Sequence, residues 1–197
     1  GRPQDARATV QRALQLMPND GDALNVLASI AHAQGDLPTA AREYGRAIDA
    51  QPYNVDARLA RAAIQFDLGR DADAWTDIEF LAKNAPSDPR GAYLRAQYFA
   101  RQGKAAEARA ALREATETLS QLSPEYVAAS DQLQLLGGLA HHALGEYERA
   151  KTYLGTYLDR RPSEAGARKL MGSIYLAERQ YGRAIAMLQP ALRAFPN

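Results

Sequence analysis

The sequence contains no cysteine, and this absence removes several kinds of chemistry at once. Without a thiol the chain can form no disulfide and no thiolate nucleophile, and it can hold no cysteine-ligated zinc ion or iron–sulfur cluster. Proteins of oxidising and of reducing compartments can both lack cysteine, so the absence does not identify the compartment. Any function of this chain must rest on other side chains.

Long apolar runs are also absent, and so is an excess of charge of either sign. No apolar segment reaches the length of about 20 residues that a membrane-spanning helix needs. The 24 lysines and arginines nearly balance the 23 aspartates and glutamates, and the formal net charge is +1. The arginines alternate with acidic residues, a pattern that does not favour the phosphates of nucleic acid or an anionic membrane. We therefore expect no nucleic-acid partner and no direct membrane insertion of this segment.

What the sequence does contain is a repeat with a period of 34 residues. A glycine recurs at spacings of 34, 34 and 42 residues, at Gly35, Gly69, Gly103 and Gly145. An alanine follows each of these glycines five residues later, and in three segments a proline follows that alanine by twelve residues. The segment "AERQYGRA" keeps the frame but has Arg179 where the other segments have glycine. Repeats of this length are typical of stacked helical arrays.

Each repeat has the pattern of two antiparallel helices. In the first full unit apolar residues recur at the i, i+3, i+4 and i+7 spacing of one helix face, as Leu24, Leu27, Ala28 and Ala31. Gly35 then accepts the left-handed conformation that ends a helix. The inner face of the second helix consists of Ala40, Tyr44 and Ala47, and "QPYN" ends it. The alanines allow the two backbones to approach closely.

With these residues the sequence resembles the tetratricopeptide repeat (TPR) family. The segment "ALNVLASIAHAQGDLPTAAREYGRAIDAQP" matches nearly every position of the family pattern, and "QLLGGLAHHALGEYERAKTYLGTYLDRRP" matches most of them. The resemblance implies an all-α protein, an α-α superhelix of antiparallel helix pairs. It implies full repeats over residues 21–54, 55–88, 89–122, 123–164 and 165–197, after the second helix of a truncated repeat over residues 1–20. Because the first residue falls in a mid-repeat turn, we expect one continuous array taken from a longer chain.

Two departures from the pattern lead to structural expectations. The third unit has Ser120 where proline is expected, and eight extra residues, "SPEYVAAS", follow at 123–130. With Ser123 as the N-cap and Pro124 in the first turn, the next helix should begin early and run unbroken to about residue 143. Pro190 lies inside the last helix and should kink or end it near Leu188.

The adjacent histidines in "HHALGEYERA" are the most conspicuous candidates for chemistry. Adjacent residues on a helix point about 100° apart, so His141 and His142 cannot chelate one metal ion from one helix face. We expect His141 to pack between helices and His142 to face a groove. Because the sequence shows no phosphate-binding loop and no paired carboxylates in a recognisable motif, we predict a protein without catalytic residues, cofactor or metal site.

In TPR proteins the first helix of each repeat lines a concave groove. The resemblance implies that the residues at the corresponding positions of this sequence face such a groove. Phe66 and Tyr93 are the candidate anchors for a partner. The Lys and Asn clamp of chaperone-binding TPR proteins is missing, which weakens a co-chaperone role. The sequence leaves open the alternative that the groove is idle in this segment. The implied groove residues are Asn25, Ser29, His32, Leu59, Phe66, Tyr93, Gln97, Arg101, Leu135, Leu139, His142, Lys169 and Ser173.

Two arginines occupy positions where the family pattern prefers leucine. Arg61 and Arg95 each lie just before a small residue on a first helix, so we expect both guanidinium groups to be partly buried and paired. Asp77 and Glu79 on the following helix are the candidate partners of Arg61. We favour structural ion pairs here over a ligand site.

These patterns favour a protein–protein interaction scaffold. Residues 135–176 and 184–192 resemble TPR proteins of Gram-negative exopolysaccharide assembly and export, the PEP-CTERM-associated lipoproteins and the cellulose- and Pel-type scaffolds. That resemblance implies a periplasmic location, protein partners, and a polysaccharide contact for which the residues themselves offer no support. The alternatives are a cytosolic TPR adaptor or co-chaperone-like regulator that binds a partner peptide, and an RNA-binding helical-repeat protein.

Overall fold

The computed structural model describes the backbone of residues 3–194 and the side chains of residues 7–189. Within the described backbone every regular element is an α-helix, which confirms the predicted all-α class. The described helices are α1 (Pro3–Leu16), α2 (Gly21–Ala33), α3 (Leu37–Ala50), α4 (Val55–Asp67), α5 (Asp71–Asn84), α6 (Pro89–Arg101), α7 (Ala105–Gln121), α8 (Pro124–Ala129), α9 (Asp131–Leu144), α10 (Tyr147–Arg160), α11 (Ala165–Ala177) and α12 (Tyr181–Ala194).

The chain divides into two compact units, and the first, Gly1–Pro86, contains α1 to α5. Helix α2 pairs with α3, and α4 pairs with α5. Contacts between α3 and α4 connect the two pairs, and α1 packs against α2. Alanines of the predicted inner faces, Ala28, Ala40 and Ala47, are 0% exposed, so the helix backbones approach closely there. Leu24 is 1% exposed, and its burial stabilises this unit by about 1.5–3 kcal/mol.

The second unit, Ser87–Asn197, contains α6 to α12. Its helix pairs are α6 with α7, α9 with α10 and α11 with α12, and they are joined by contacts of α7 with α9 and of α10 with α11. One core lies around Leu154 and Ile174, both 0% exposed. A smaller core, which we call the α7–α9 cluster, consists of Leu119, Val127, Leu133 and Leu136.

The turn within each repeat ends its first helix with a residue in the left-handed conformation. Four glycines have this conformation, with φ of 77° at Gly35, 70° at Gly69, 72° at Gly103 and 79° at Gly145. Arg179 takes the same place in the last repeat with φ of 60°. A residue with a Cβ atom is strained in this region, so the turn geometry follows from the fold even where the sequence lacks glycine.

The structure differs from the sequence-based expectation in the extended fourth repeat. Residues 124–143 were expected to form one helix, but α8 ends at Ala129 and α9 begins at Asp131. Ser130 between them is extended, with φ of −103° and ψ of 109°, and its side chain accepts a hydrogen bond from the Leu133 amide. Ser130 therefore acts as an N-cap inside a segment that local propensity alone makes continuous. In the last repeat α12 runs through Pro190 to Ala194, so the proline does not end the helix.

Candidate partner-binding surface

The second unit has a hollow between α9 and α11 that collects side chains from both helices. Leu135 and Leu139 are one turn apart on α9 and so lie on the same helix face. Ala167 and Leu170 do the same on α11, and together these four side chains form the apolar lining. The hollow has a volume of about 430 Å³. Its remaining lining residues are Glu164, Gly166, Lys169 and Ser173.

Five of the predicted groove residues meet in this region, because His142 is joined to the lining by a hydrogen bond. The His142 Nε2 atom lies 3.0 Å from Ser173 Oγ, and that hydroxyl donates to the Leu170 carbonyl oxygen at 2.7 Å. With its own hydrogen so used, the hydroxyl accepts from the imidazole N–H, which assigns the proton to Nε2. Burial lowers the pKa of His142 below its ordinary value of 6.5, so the ring is neutral at pH 7.

The lining of the hollow carries one charge of each sign, Glu164 and Lys169. Glu164 is the N-cap of α11 and accepts a hydrogen bond from the Gly166 amide at 3.4 Å. Lys169 is exposed and, among the side chains that the structure describes, has no ion-pair or hydrogen-bond partner. Its ammonium group is therefore available to an acidic group placed at the hollow.

The remaining predicted residues of the second unit lie on α6 and do not line this hollow. Tyr93 is half-buried against the α7–α9 cluster. Burial raises the pKa of its phenol, and a hydrogen bond with Gln97 offsets part of that rise. Arg101, the third predicted residue of this helix, is exposed. Because Tyr93 already packs into a core, only part of its ring is open to a partner.

In the first unit the predicted groove residues differ in exposure. Ser29 and His32 are exposed, and Asn25 is half-buried with its Oδ1 atom lacking a hydrogen-bond partner. Leu59 and Phe66, by contrast, are each 7% exposed. The predicted anchor Phe66 thus presents almost no surface, contrary to our expectation. The reason is that neighbouring helices cover α4 on several sides. Its buried residues include polar as well as apolar side chains and are Ala57, Arg58, Leu59, Ala62, Ile64, Gln65 and Phe66.

The other histidine of the adjacent pair has a packing role. His141 is 4% exposed, and its ring stacks on Tyr153 with centroids 5.4 Å apart and an interplanar angle of 17°. Its Nδ1 atom lies 2.7 Å from Glu146 Oε2, which joins the end of α9 to the turn that follows. Within residues 7–189 no group of three metal-ligating side chains is close enough to hold a metal ion.

The two unusual arginines form the ion pairs that the sequence predicted. Arg61 donates from Nε to Asp77 Oδ2 at 2.7 Å and from Nη2 to Oδ1 at 2.8 Å. Hydrogen bonding to Asp77 raises the pKa of Arg61 further above its ordinary value, so the group stays charged. Arg95 pairs with Glu114. These contacts favour structural roles for Arg61 and Arg95.

Sequence reasoning did not assign a role to Arg58, which is the more enclosed of the two arginines that pair with Asp77. Its Nη1 donates to Asp77 Oδ1 at 2.9 Å and its Nε to the Pro52 carbonyl oxygen at 2.9 Å. The guanidinium carbon lies 3.6 Å from the centre of the Phe80 ring, a cation–π geometry. The sequence contained one signal, since Arg58 and Arg168 stand at the same repeat position, each six residues after a proline. In the structure both donate to the carbonyl oxygen of that proline.

Among the helices that the structure describes, none has both the length and the apolar character that a membrane span requires.

The family of the chain follows from comparison with models of known protein families. One family model for the tetratricopeptide repeat matches three ranges, residues 1–55, 33–79 and 59–124. A second model for the same repeat matches residues 141–197. The chain therefore belongs to the tetratricopeptide repeat family, whose members are scaffolds for protein partners. No curated protein sequence matches it.

Solved structures with the same fold are distant in sequence. In the APC/C hetero-tetramer Cut9–Hcn1 the matched chain is 19% identical with a TM-score of 0.75 over 100% of this chain, which spans only 37% of that one. TTC0263, a thermophilic TPR protein from Thermus thermophilus, is 21% identical with a TM-score of 0.65, covering 90% of this chain and 92% of the other. A TPR protein from Parabacteroides merdae is 18% identical with a TM-score of 0.60, covering 97% and 73%. These similarities establish the fold.

Proposed function

We propose that this chain is an interaction scaffold whose second unit holds a segment of a protein partner in the α9–α11 hollow. The observation that carries the proposal is the lining itself, in which four apolar side chains lie together with Glu164, Lys169 and Ser173. Binding sites for partner segments combine an apolar centre with a few polar groups that fix orientation. In this hollow, Ser173 and Lys169 supply those polar groups.

The lining also indicates the chemistry of the segment. Leu139 and Leu170 favour aliphatic or aromatic side chains, while the unpaired Lys169 favours a carboxylate at one end. Glu164, the N-cap of α11, also lines the hollow and disfavours a second carboxylate near the start of that helix. We therefore expect a segment with apolar residues followed or preceded by a single acidic group.

A selection from random 16-residue peptides displayed on phage tests this proposal. Peptides selected on the intact chain should bind a Leu139→Glu variant at least ~10-fold more weakly, because a buried charge would face their apolar side chains. Ile185→Glu makes the same chemical change at an exposed side chain outside the lining and serves as the control. Equal loss in both variants, or binding unaffected by Leu139→Glu, would contradict the assignment of the site.

We further propose that the partners belong to a system of bacterial exopolysaccharide assembly and export, with the segment in the periplasm. The support is the sequence resemblance of residues 135–176 and 184–192 to TPR proteins of such systems. Deleting the gene should reduce secreted polysaccharide, and the protein should fractionate with periplasmic markers. Fractionation with the cytosol and unchanged polysaccharide would favour the alternative, a cytosolic adaptor or regulator.

A further inference from the structure

The break between α8 and α9 is not demanded by the local sequence. From Glu125 to Leu136 the chain has neither glycine nor proline, and it contains several good helix formers. The structure nevertheless places Ser130 in an extended conformation between the two helices. Contacts with other parts of the second unit must therefore hold the break.

Hydrogen bonds in and around the break replace those that a continuous helix would make. In one helix the Val127 carbonyl would accept from the amide of residue 131. Here it accepts instead from the Ser130 amide at 3.2 Å and from Gln134 Nε2 at 3.1 Å. The Leu133 amide, which would bond to Ala129, donates to Ser130 Oγ at 3.2 Å. The broken form thus satisfies the backbone by other means.

Arg160, on α10, supplies the rest of the replacement. It donates from Nη1 to the Ala129 carbonyl oxygen at 3.2 Å and from Nη2 to the Ala128 carbonyl oxygen. Its Nη1 also pairs with Asp131 Oδ1 at 3.0 Å. One exposed arginine, 41% accessible, therefore caps the end of α8 and holds the start of α9. Because this group is in contact with solvent, other ligands can compete for it.

Apolar packing is the last contribution to the broken form. Val127 is 6% exposed and belongs to the α7–α9 cluster together with Leu119 and Leu133. Tyr126 on the same short helix is 62% exposed and forms one wall of a cleft of about 230 Å³, whose other lining residues include Arg90, Leu122 and Gln132. Both the covered cluster and the cleft depend on the position of α8.

We propose that Ser130 is the hinge of a two-state element, in which residues 124–144 exchange between the broken pair α8–α9 and one continuous helix. In the continuous form Val127 leaves the α7–α9 cluster, and Leu133 becomes accessible on the surface of the second unit. The regular helix bonds that the amides of residues 131–133 would form with the carbonyls of residues 127–129 offset the loss of the Arg160 contacts. A partner that engages Arg160 or covers Leu133 would shift the exchange towards the continuous helix.

Amide hydrogen exchange of the full chain, followed by NMR, tests this hinge. The amides of Asp131 and Gln132 lie in the first turn of α9 and would be bonded within the helix only in the continuous form. In the double variant Ser130→Ala with Arg160→Met, exchange at these two amides should slow at least ~10-fold. The Ser130 Cα chemical shift should move towards its helical value at the same time.

A proline variant provides the matched control. Asp131→Pro suits the first position of α9 but forces the preceding residue to remain extended, so it locks the broken form. Added to the double variant, it should return fast exchange at Gln132 and an extended shift at residue 130. The proposal is wrong if Gln132 exchanges as fast in the double variant as in the unchanged chain while Ala140 stays protected. It is also wrong if protection is lost throughout α9, since that result is local unfolding.

Discussion

Removing the Asp77 carboxylate is the sharpest test of how the first unit is held together. Asp77 is 0% exposed and accepts from Arg58 and Arg61, which are 11% and 21% exposed. An Asp77→Ala change leaves two guanidinium groups facing an empty site. Arg61 is the more exposed and can turn towards water, whereas Arg58 is held between the Pro52 carbonyl and the Phe80 ring. Most of the cost therefore comes from Arg58.

The expected size follows from this enclosure. Removing one partner of a buried pair costs about 3–5 kcal/mol, chiefly because the remaining charge is unpaired. Replacing both partners by apolar groups costs much less, so Arg58→Met with Asp77→Ala should recover most of this loss. The two changes should therefore be non-additive by about 2 kcal/mol or more.

Urea unfolding measures these free energies, and the sequence offers a convenient local probe. The single tryptophan, Trp75, lies on α5 two residues before Asp77 and reports on the first unit, while circular dichroism follows the whole chain. Fluorescence should show the loss in Asp77→Ala and its recovery in the double variant. A loss below about 1 kcal/mol for Asp77→Ala, or additive effects in the cycle, would refute the argument that the cluster is a buried, tightly coupled ion pair.

Three further predictions follow from the second unit. Gly138→Ala should destabilise the second unit by about 1–3 kcal/mol in thermal unfolding, because the added Cβ atom would lie 2.6 Å from the Leu154 side chain. Gly155→Ala is the control, since its added Cβ atom would have no neighbouring atom within 4 Å, and it should stabilise the unit by about 0.5–1 kcal/mol. Arg179→Gly should gain about 1 kcal/mol by relieving the left-handed backbone, and an unchanged melting temperature would contradict that view. In an NMR titration His142 should protonate below pH 6.5, because burial lowers its pKa. The contribution of the neutral ring to stability should be lost as the pH falls through that midpoint. A midpoint at or above 6.5 would contradict the buried neutral ring.

Sequence reasoning was most successful where a short-range pattern controls the structure. The helix class, the turns at Gly35 and its equivalents, and the pairing of Arg61 with Asp77 all follow from spacing along one or two helices. It was least successful at Phe66 and Ser130. Phe66 is buried because packing covers most sides of α4, and the break at Ser130 is bridged by hydrogen bonds from Arg160, 30 residues away in sequence. A partner-binding role for the predicted groove residues, in the α9–α11 region as elsewhere, remains a prediction.

The sequence by itself therefore determined the repeat, the helix pairs and their left-handed turns, because periodicity and glycine act within a few residues. Only the tertiary structure decided which first-helix side chains stay open to a partner. It brought Leu135, Leu139, Lys169 and Ser173 into one hollow while burying Leu59 and Phe66. The physical reason is that exposure depends on which neighbouring helices cover a face, and identical repeat positions receive different cover along the chain.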